Sequence, residues 1–139
     1  MQVVLDIREK ELEERQMEMA KILAVLNEQK ARLQEILNAQ EENRLKLEEL
    51  CTSSELDINQ VESHRNYGIV LARDASNQQR LIKNTEIILE KKQLEVLEAH
   101  KKVEVLKKLK EKQEKEYYQE FLQAEMKEID DITSSRFRL

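Results

Sequence analysis

The chain of 139 residues contains no proline, no tryptophan and a single glycine, Gly68. Proline interrupts helices, and glycine supplies the backbone angles that tight turns often need. Because both are nearly missing, the composition excludes a compact fold of many short elements and favours long, uninterrupted helices. Aromatic residues make up only 4 % of the chain, which is too little to fill a globular core of several layers.

Cysteine is equally scarce, since Cys51 is the only one. A single cysteine excludes an internal disulfide, and a lone thiol is typical of a reducing compartment, which predicts a cytoplasmic protein. No apolar run approaches the roughly 18 residues that a membrane-spanning helix needs, so no direct membrane insertion is expected. Acidic residues follow Met1 at once, which is unlike a signal peptide.

Charged and hydrophobic residues make up most of the chain. Charged side chains make up 38 % of the chain and hydrophobic ones 40 %, with a net charge of −5. Such a composition with apolar periodicity is typical of a coiled coil or a long helix. Both signs of charge are interspersed, so the basic stripe of a nucleic-acid-binding protein is not present.

Apolar residues repeat every seven positions through the first part of the chain, and a companion row lies three residues further on. Together the two rows predict the a and d seam of a coiled coil. Polar seam members, Gln29, Gln40 and Asn43, weaken such a seam but can define its register. The first row is Leu5, Leu12, Met19, Leu26, Leu33, Gln40 and Leu47, and the companion row includes Ile22, Gln29, Ile36, Asn43 and Leu50.

The periodic pattern stops between Cys51 and Asp57, where Ser, Thr and Asp favour a new helix start. Asp57 followed by Gln60 resembles a capping box. We expect helix one over about 3–50, a corner over about 51–57 and helix two over about 58–135. The rows of the second helix are Ala75, Ile82, Leu89, Val96 and Val103, with Leu71, Gln78, Thr85, Lys92, Ala99 and Leu106 as companions.

A short corner makes the two helices antiparallel neighbours. Folding about residue 54 places each residue i opposite residue 108 − i, so Leu33 faces Ala75 and Leu5 faces Val103. The two independently identified seams therefore meet. The predicted fold is all-α, a single domain over 1–139 in which two long helices form an antiparallel coiled-coil hairpin with a C-terminal helical overhang.

About thirty residues of helix two extend beyond the point opposite Met1, which is roughly 45 Å of helix. An isolated helix is marginal in water and is stabilised mainly by packing of its apolar face. We therefore expect the overhang to bind a dedicated partner, or its aromatic cluster to pack in a homodimer or against a bent-back part of the chain. Its apolar residues are Tyr117, Tyr118, Phe121, Leu122, Met126, Ile129, Ile132 and Phe137.

No group of residues predicts catalysis, a metal site or a cofactor. His64 and His100 lack His or Cys partners at metal-ligand spacing, so we expect both on helix surfaces. Cys51 lacks the neighbours that activate a thiol, and adjacent aspartates at 130 and 131 diverge on a helix. A two-helix structure also lacks the concave pocket of an enzyme.

Two features leave alternatives open. Gly68 is either a tolerated weak position near a frayed helix start, at a cost of about 1 kcal/mol, or a site where another backbone comes close. The lysines between 107 and 115 alternate with glutamates. They either form a solvated face or direct the tip toward an acidic surface.

Several stretches resemble the FliJ family, the small cytoplasmic coiled-coil components of flagellar type III export. The opening LDIREKELEE of residues 5–14 is similar to the start of the family. The end resembles it in KVEVLKKLKEKQ of residues 102–113, a tyrosine at 117 or 118, EMKEIDDI of residues 125–132, and Arg136-Phe137. The resemblance spans nearly the whole chain.

The resemblance implies a non-enzymatic protein that is similar to the two-helix stalk of the rotary ATPase gamma subunit. It implies insertion into the hexameric flagellar export ATPase, whose assembly and activity the protein promotes. Contacts with the cytoplasmic domain of the export gate and with export chaperones are also implied. Such a protein is expected to be a monomer alone and peripheral at the cytoplasmic face of the inner membrane, through the export apparatus.

Carried over by position, the resemblance places the gate contact on Tyr67 and Leu71 and the ATPase contacts in and beside the overhang. Two alternative functions remain, a homodimeric coiled-coil spacer and a chaperone for export substrates. The implied ATPase contacts are Leu106, Lys110, Gln113, Tyr117, Tyr118, Phe121, Leu122, Glu125, Met126, Ile129 and Asp130.

Overall fold

The computed structural model describes the backbone of residues 1–137 and the side chains of residues 1–136. Two helices account for nearly all of that range, α1 (Gln2–Thr52) and α2 (Ile58–Phe137), and no strand occurs among the described residues. The two helices pack against each other. The predicted all-α hairpin is therefore confirmed.

The corner between the helices lies at residues 53–57. Thr52 ends α1 with its hydroxyl directed back to the carbonyls of Glu48 and Glu49, at 3.1 Å each. Asp57 then caps α2, because its Oδ1 accepts hydrogen bonds from the backbone N–H groups of Asn59 and Gln60 at 3.0 and 3.4 Å. N–H groups in the first turn have no partner within their own helix, so this carboxylate stabilises the start of α2, as the sequence predicts.

The chain divides into two compact units, residues 15–95 and residues 1–14 together with the chain from Val96 onward. In the unit of residues 15–95, Ile36, Leu71 and Ala75 form a buried cluster, and Leu33 and Ala39 pack against it. Every seam position predicted between Met19 and Lys92 is buried or half-buried. The seam is therefore confirmed here, whereas the single-domain organisation stays a prediction.

Hydrogen bonds between the helices show the register of this unit. The Gln78 side chain donates to the backbone carbonyl of Gln29 at 3.0 Å. The Asn43 side chain donates to the carbonyl of His64 at 2.9 Å. Both pairs lie one residue from the pairing that the sequence predicts. Gln29 and Asn43 therefore connect the helices as polar seam members, which is the register-defining role such residues have in coiled coils.

The surface position predicted for His64 is wrong. This residue was expected on a helix surface, but it is half-buried in the seam, and its Nδ1 lies 3.0 Å from Oδ1 of Asn43. The companion row of α2 begins one heptad earlier than Leu71, and residue 64 is that earlier position. His100, by contrast, is exposed as expected.

Gly68 lies one turn beyond His64 and faces the same asparagine. A Cβ atom added at Gly68 would lie 3.1 Å from Nδ2 of Asn43, and no glycine in the described chain has a positive φ. Glycine is therefore explained here by the close approach of a side chain. Of the two alternatives from the sequence, a close approach is present, but the neighbouring atom belongs to a side chain and not to a backbone.

Replacing Gly68 by alanine has opposite expected effects in two backgrounds. In the wild type, the new Cβ crowds Asn43, which its two hydrogen bonds hold in place, so we expect Gly68→Ala to leave stability unchanged or lower it. In an Asn43→Ala background the same change raises the free energy of unfolding by about 1 kcal/mol, the helix preference of alanine over glycine. Urea unfolding of the four variants measures the coupling. An equal effect in both backgrounds contradicts the proposed contact.

A charged network connects the helices at the end of the same unit. Nζ of Lys92 lies 3.2 Å from Glu18 and 3.3 Å from Glu95, and Arg15 lies 3.9 Å from Glu95. The hydrogen bond from Lys92 holds the pKa of Glu18 below its ordinary 4.5, and the bond to Glu18 raises the pKa of Lys92 above 10.5. Since these groups are screened by solvent, the network contributes little to stability.

In the unit of residues 1–14 and the chain from Val96, Leu5 and Val103 are buried, and Val103 is only 2 % exposed. The remaining predicted seam positions, Leu12, Val96, Ala99 and Leu106, are half-buried. The first turn of α1 reaches α2 through Gln2, whose Oε1 accepts a hydrogen bond from Nζ of Lys110. Lys110 also lies 4.0 Å from Glu114.

Candidate functional site

The candidate site is the stretch of α2 that follows Lys110, residues 111–136, here called the distal segment. Gln2, the first residue of α1, contacts Lys110, which is the residue of α2 just before the distal segment. Every residue from 111 to 136 is exposed. The predicted overhang is therefore present, and its face is uncovered in the described chain.

Apolar side chains concentrate on one face of the distal segment, here called the distal stripe. It consists of Tyr118, Leu122, Glu125, Ile129 and Ile132, which follow one another at alternating spacings of four and three residues and therefore share a helix face. Its four apolar members are between 40 and 61 % exposed. Phe121 and Met126 lie on either side of this stripe and are also exposed.

The distal stripe is not a simple continuation of the hairpin seam. Seven-residue steps from Val103 lead through Lys110 to Tyr117, Ala124 and Asp131, whereas the stripe follows a row one residue later. The fifteen residues from Val103 to Tyr118 turn the helix by about 60° beyond four full turns. The stripe is therefore rotated to one side of the face that packs on α1, and the slip of the heptads after Leu106 is its signal in the sequence.

Charge changes sign along this part of α2. Residues 101–115 contain seven lysines and three glutamates, whereas residues 116–131 contain six carboxylates and one lysine, Lys127. The lysine-rich segment lies beside the packed end of the hairpin, and the acidic segment carries the distal stripe. A partner that covers the stripe therefore meets a predominantly negative surface, which steers it electrostatically.

A small apolar groove lies at the base of the distal segment. Its apolar lining comes from Val4 of α1 and from Val105 and Leu106 of α2, and the other lining residues are Arg8, Glu98, Lys101 and Lys102. Leu106 belongs to the residues that the resemblance assigned to ATPase contact. Val4 and Arg8 were not singled out, because only the packing of α1 on α2 brings them to this place.

The implied ATPase contacts are distributed over three environments. Tyr118, Leu122, Glu125 and Ile129 form the distal stripe, with Tyr117, Phe121 and Met126 at its sides. Gln113 and Asp130 are exposed on other faces of the helix, and Leu106 and Lys110 are half-buried against α1. Ile132 completes the stripe although the resemblance did not assign it a contact. The side chain of Phe137 lies outside the described residues.

The two residues implied in gate contact have different surroundings. Leu71 is 5 % exposed and belongs to the buried cluster with Ile36 and Ala75. Tyr67 is 49 % exposed and borders a shallow groove with Ala39, Lys46 and His64. Tyr67 is thus the member of the pair that the surface presents, whereas Leu71 supports the position of the helix from inside.

The described residues contain no group of three or more side chains that could hold a metal ion. Within the same range, neither helix contains a segment that is long and apolar enough to cross a membrane. Cys51 is exposed in the last turn of α1. The arrangement supports binding through a helix face, because its distinctive groups are apolar and acidic side chains on an uncovered helix.

The whole chain, residues 1–139, matches one family model, described as Flagellar FliJ protein. No curated protein and no solved structure matches the chain. The family prediction that was made from the residues is thereby confirmed.

Proposed function

Because the chain belongs to the FliJ family, whose members are flagellar export-related proteins, we propose that it is the stalk of the hexameric flagellar export ATPase. In this proposal the distal segment inserts into the ATPase and promotes its assembly and activity, without any chemistry of its own. The protein is peripheral at the cytoplasmic face of the inner membrane, because the export apparatus holds it there.

One observation carries the proposal: the distal segment is a helix whose largely apolar face, the distal stripe, is exposed and is covered by no other described residue. Exposed apolar patches of this kind mark interaction surfaces in soluble proteins. An isolated helix is only marginally stable in water, so a host that covers the stripe also stabilises the helix. The family membership supports a host within the export apparatus, and a ring-shaped ATPase offers a central opening for a single helix.

The ATPase rate of the purified flagellar export ATPase, titrated with this protein, tests the proposal. We expect the rate and the fraction of hexamer to rise together and to saturate near one protein per hexamer. Mass photometry of the same mixtures measures the hexamer fraction. An unchanged rate at saturating protein contradicts the proposal, and so does stimulation by a variant that has lost the distal segment.

A second contact, with the cytoplasmic domain of the export gate, is proposed for Tyr67 and the groove beside it. Exposed tyrosines with an apolar ring and a polar tip are enriched where proteins meet. Export chaperones are the third class of proposed partner. They belong to the proposal through the family resemblance, and co-purification of the full-length protein with each chaperone tests them.

Alanine substitutions at Tyr67 and Leu71 distinguish the residue that is proposed to contact the gate domain from the residue that stabilises the fold. We expect Tyr67→Ala to weaken binding to the purified gate domain by about tenfold or more and to leave the melting temperature unchanged, since the side chain is exposed. Leu71→Ala removes a buried side chain and lowers the free energy of unfolding by about 2–4 kcal/mol. Calorimetric binding together with thermal unfolding measures both. A Tyr67→Ala protein with full gate affinity contradicts the proposed contact.

A further inference from the structure

Glu125 occupies the centre of the distal stripe. Its neighbours on the face are Tyr118 and Leu122 on one side and Ile129 and Ile132 on the other, all apolar and all exposed. Among the described residues, no cation lies within 4 Å of its carboxylate, since the ion pairs of the chain involve other glutamates. A charge therefore lies in the middle of the surface that a partner must cover.

Covering the stripe takes this carboxylate out of water. A buried charge costs several kcal/mol unless an opposite charge and hydrogen bonds compensate it. The same cost is absent while the helix is free, because Glu125 is then solvated. The stripe consequently discriminates between partners. Binding to an entirely apolar groove is weakened by the buried charge, whereas binding to a groove with a cation at its centre is strengthened by an ion pair.

A second copy of this chain is a poor occupant. Glu125 lies seven residues from Tyr118 and seven from Ile132, so two stripes that overlap fully, in either direction, place one Glu125 against the other. Residues 116–131 contain six carboxylates and only one lysine, so two copies of this segment also repel each other. Shifted registers bury the carboxylate against apolar side chains instead, at similar cost.

We propose that Glu125 determines the specificity of the distal stripe, because it requires an arginine or lysine at the centre of the partner's apolar groove and prevents self-pairing. The inference rests on the proposed function in one respect, since the partner tested is the export ATPase. The partner then contacts three parts of the stripe, which are an apolar end, the central carboxylate of Glu125 and a second apolar end. Tyr118 and Leu122 form the first, and Ile129 and Ile132 form the last.

The variant Glu125→Leu distinguishes two kinds of partner groove. A groove with a cation at its centre and a groove that is apolar throughout predict opposite changes in Kd. If the groove were apolar throughout, leucine would complete the stripe and tighten binding. With a cation in place, leucine leaves that cation buried and unpaired, and we expect the Kd for the ATPase to rise about thirtyfold or more. Labelled protein at nanomolar concentration, titrated with ATPase and followed by anisotropy, gives the Kd without interference from self-association.

Glu120→Leu is the matched control, since Glu120 belongs to the same acidic segment but lies on the opposite side of the helix. We expect its Kd to change by less than about threefold, because only long-range attraction is lost. Equal weakening by the two variants would indicate general electrostatic attraction and would overturn the central ion pair. Tighter binding by Glu125→Leu would overturn it as well.

Light scattering of the protein alone tests the second half of the inference without any partner. At about 50 µM we expect the wild type and Glu120→Leu to have the mass of a monomer and Glu125→Leu to form a dimer. A dimeric wild type, or a monomeric Glu125→Leu, overturns the inference. If the wild type fails to bind the ATPase, the proposed function fails while this measurement still decides on self-pairing. If it binds and Glu125→Leu binds more tightly, only the inference fails.

Discussion

Replacing Leu122 and Ile129 together by serine abolishes stimulation of the export ATPase and leaves the protein folded. The two side chains lie on the distal stripe on either side of Glu125, and both are exposed in the free protein. Central apolar residues of an interface each contribute about 2 kcal/mol or more, so the double change weakens binding by about a thousandfold. The melting temperature stays that of the wild type, because neither side chain contacts α1.

The matched control replaces Gln119 and Gln123 by serine. Both glutamines lie in the same turns of the distal segment but on another face, and both are exposed. We expect this control to stimulate the ATPase like the wild type. The rate of ATP hydrolysis and the anisotropy of labelled protein are measured for the three proteins in parallel. Equal loss in both double variants means that helix content, and not the stripe, governs binding.

Replacing Leu26 by alanine is expected to have the largest effect on folding. Leu26 is 3 % exposed in the seam, and the removal of a buried leucine side chain costs the transfer free energy of its methyl groups and leaves a cavity. We expect the free energy of unfolding to fall by about 2–4 kcal/mol. Urea unfolding followed by circular dichroism at 222 nm measures the change.

Leu23 provides the control for this substitution within the same turn of α1. It is 44 % exposed, so Leu23→Ala removes the same atoms from a position that packs little. We expect a change of about 0.5 kcal/mol or less. If the two leucines were equally costly to replace, the seam would not lie on the face where the structure places it.

The sequence predicted the features that depend on local pattern. Heptad rows at Leu26, Leu33, Ala75 and Ile82 follow from side-chain periodicity alone, and the cap at Asp57 follows from its position before a new apolar row. The antiparallel pairing then followed from the shortness of the corner. These features require only residues that are near one another in the chain.

The roles of His64 and Gly68 were not predictable in the same way. Both depend on Asn43, which reaches them from the other helix, and their single-helix context resembles an ordinary surface and an ordinary weak position. Histidine in a seam has no periodic signature of its own, because it is not counted among the apolar residues. Its row membership, one heptad before Leu71, was the available signal.

Part of the candidate site could likewise be predicted from the sequence, and part of it could not. The greater length of α2 follows from counting residues on either side of the corner, and the apolar character of its last part is visible in Tyr118, Leu122 and Ile129. The direction of the stripe relative to the seam depends on the slip after Leu106, which a strict heptad reading passes over. The heptad row already predicts Leu71 in the seam, whereas the resemblance names Leu71 and Tyr67 together as contacts. The structure shows that only Tyr67 of this pair is exposed.

Hydrogen–deuterium exchange of the full-length protein, alone and with the export ATPase, tests the central claim most directly. The account predicts fast exchange in residues 111–136 of the free protein, since no packing stabilises that helix, and slow exchange over 15–95. Saturating ATPase should slow exchange in 111–136 by at least about tenfold and leave 15–95 unchanged. Slow exchange of 111–136 in the free protein, or protection by the ATPase confined to other residues, contradicts the account.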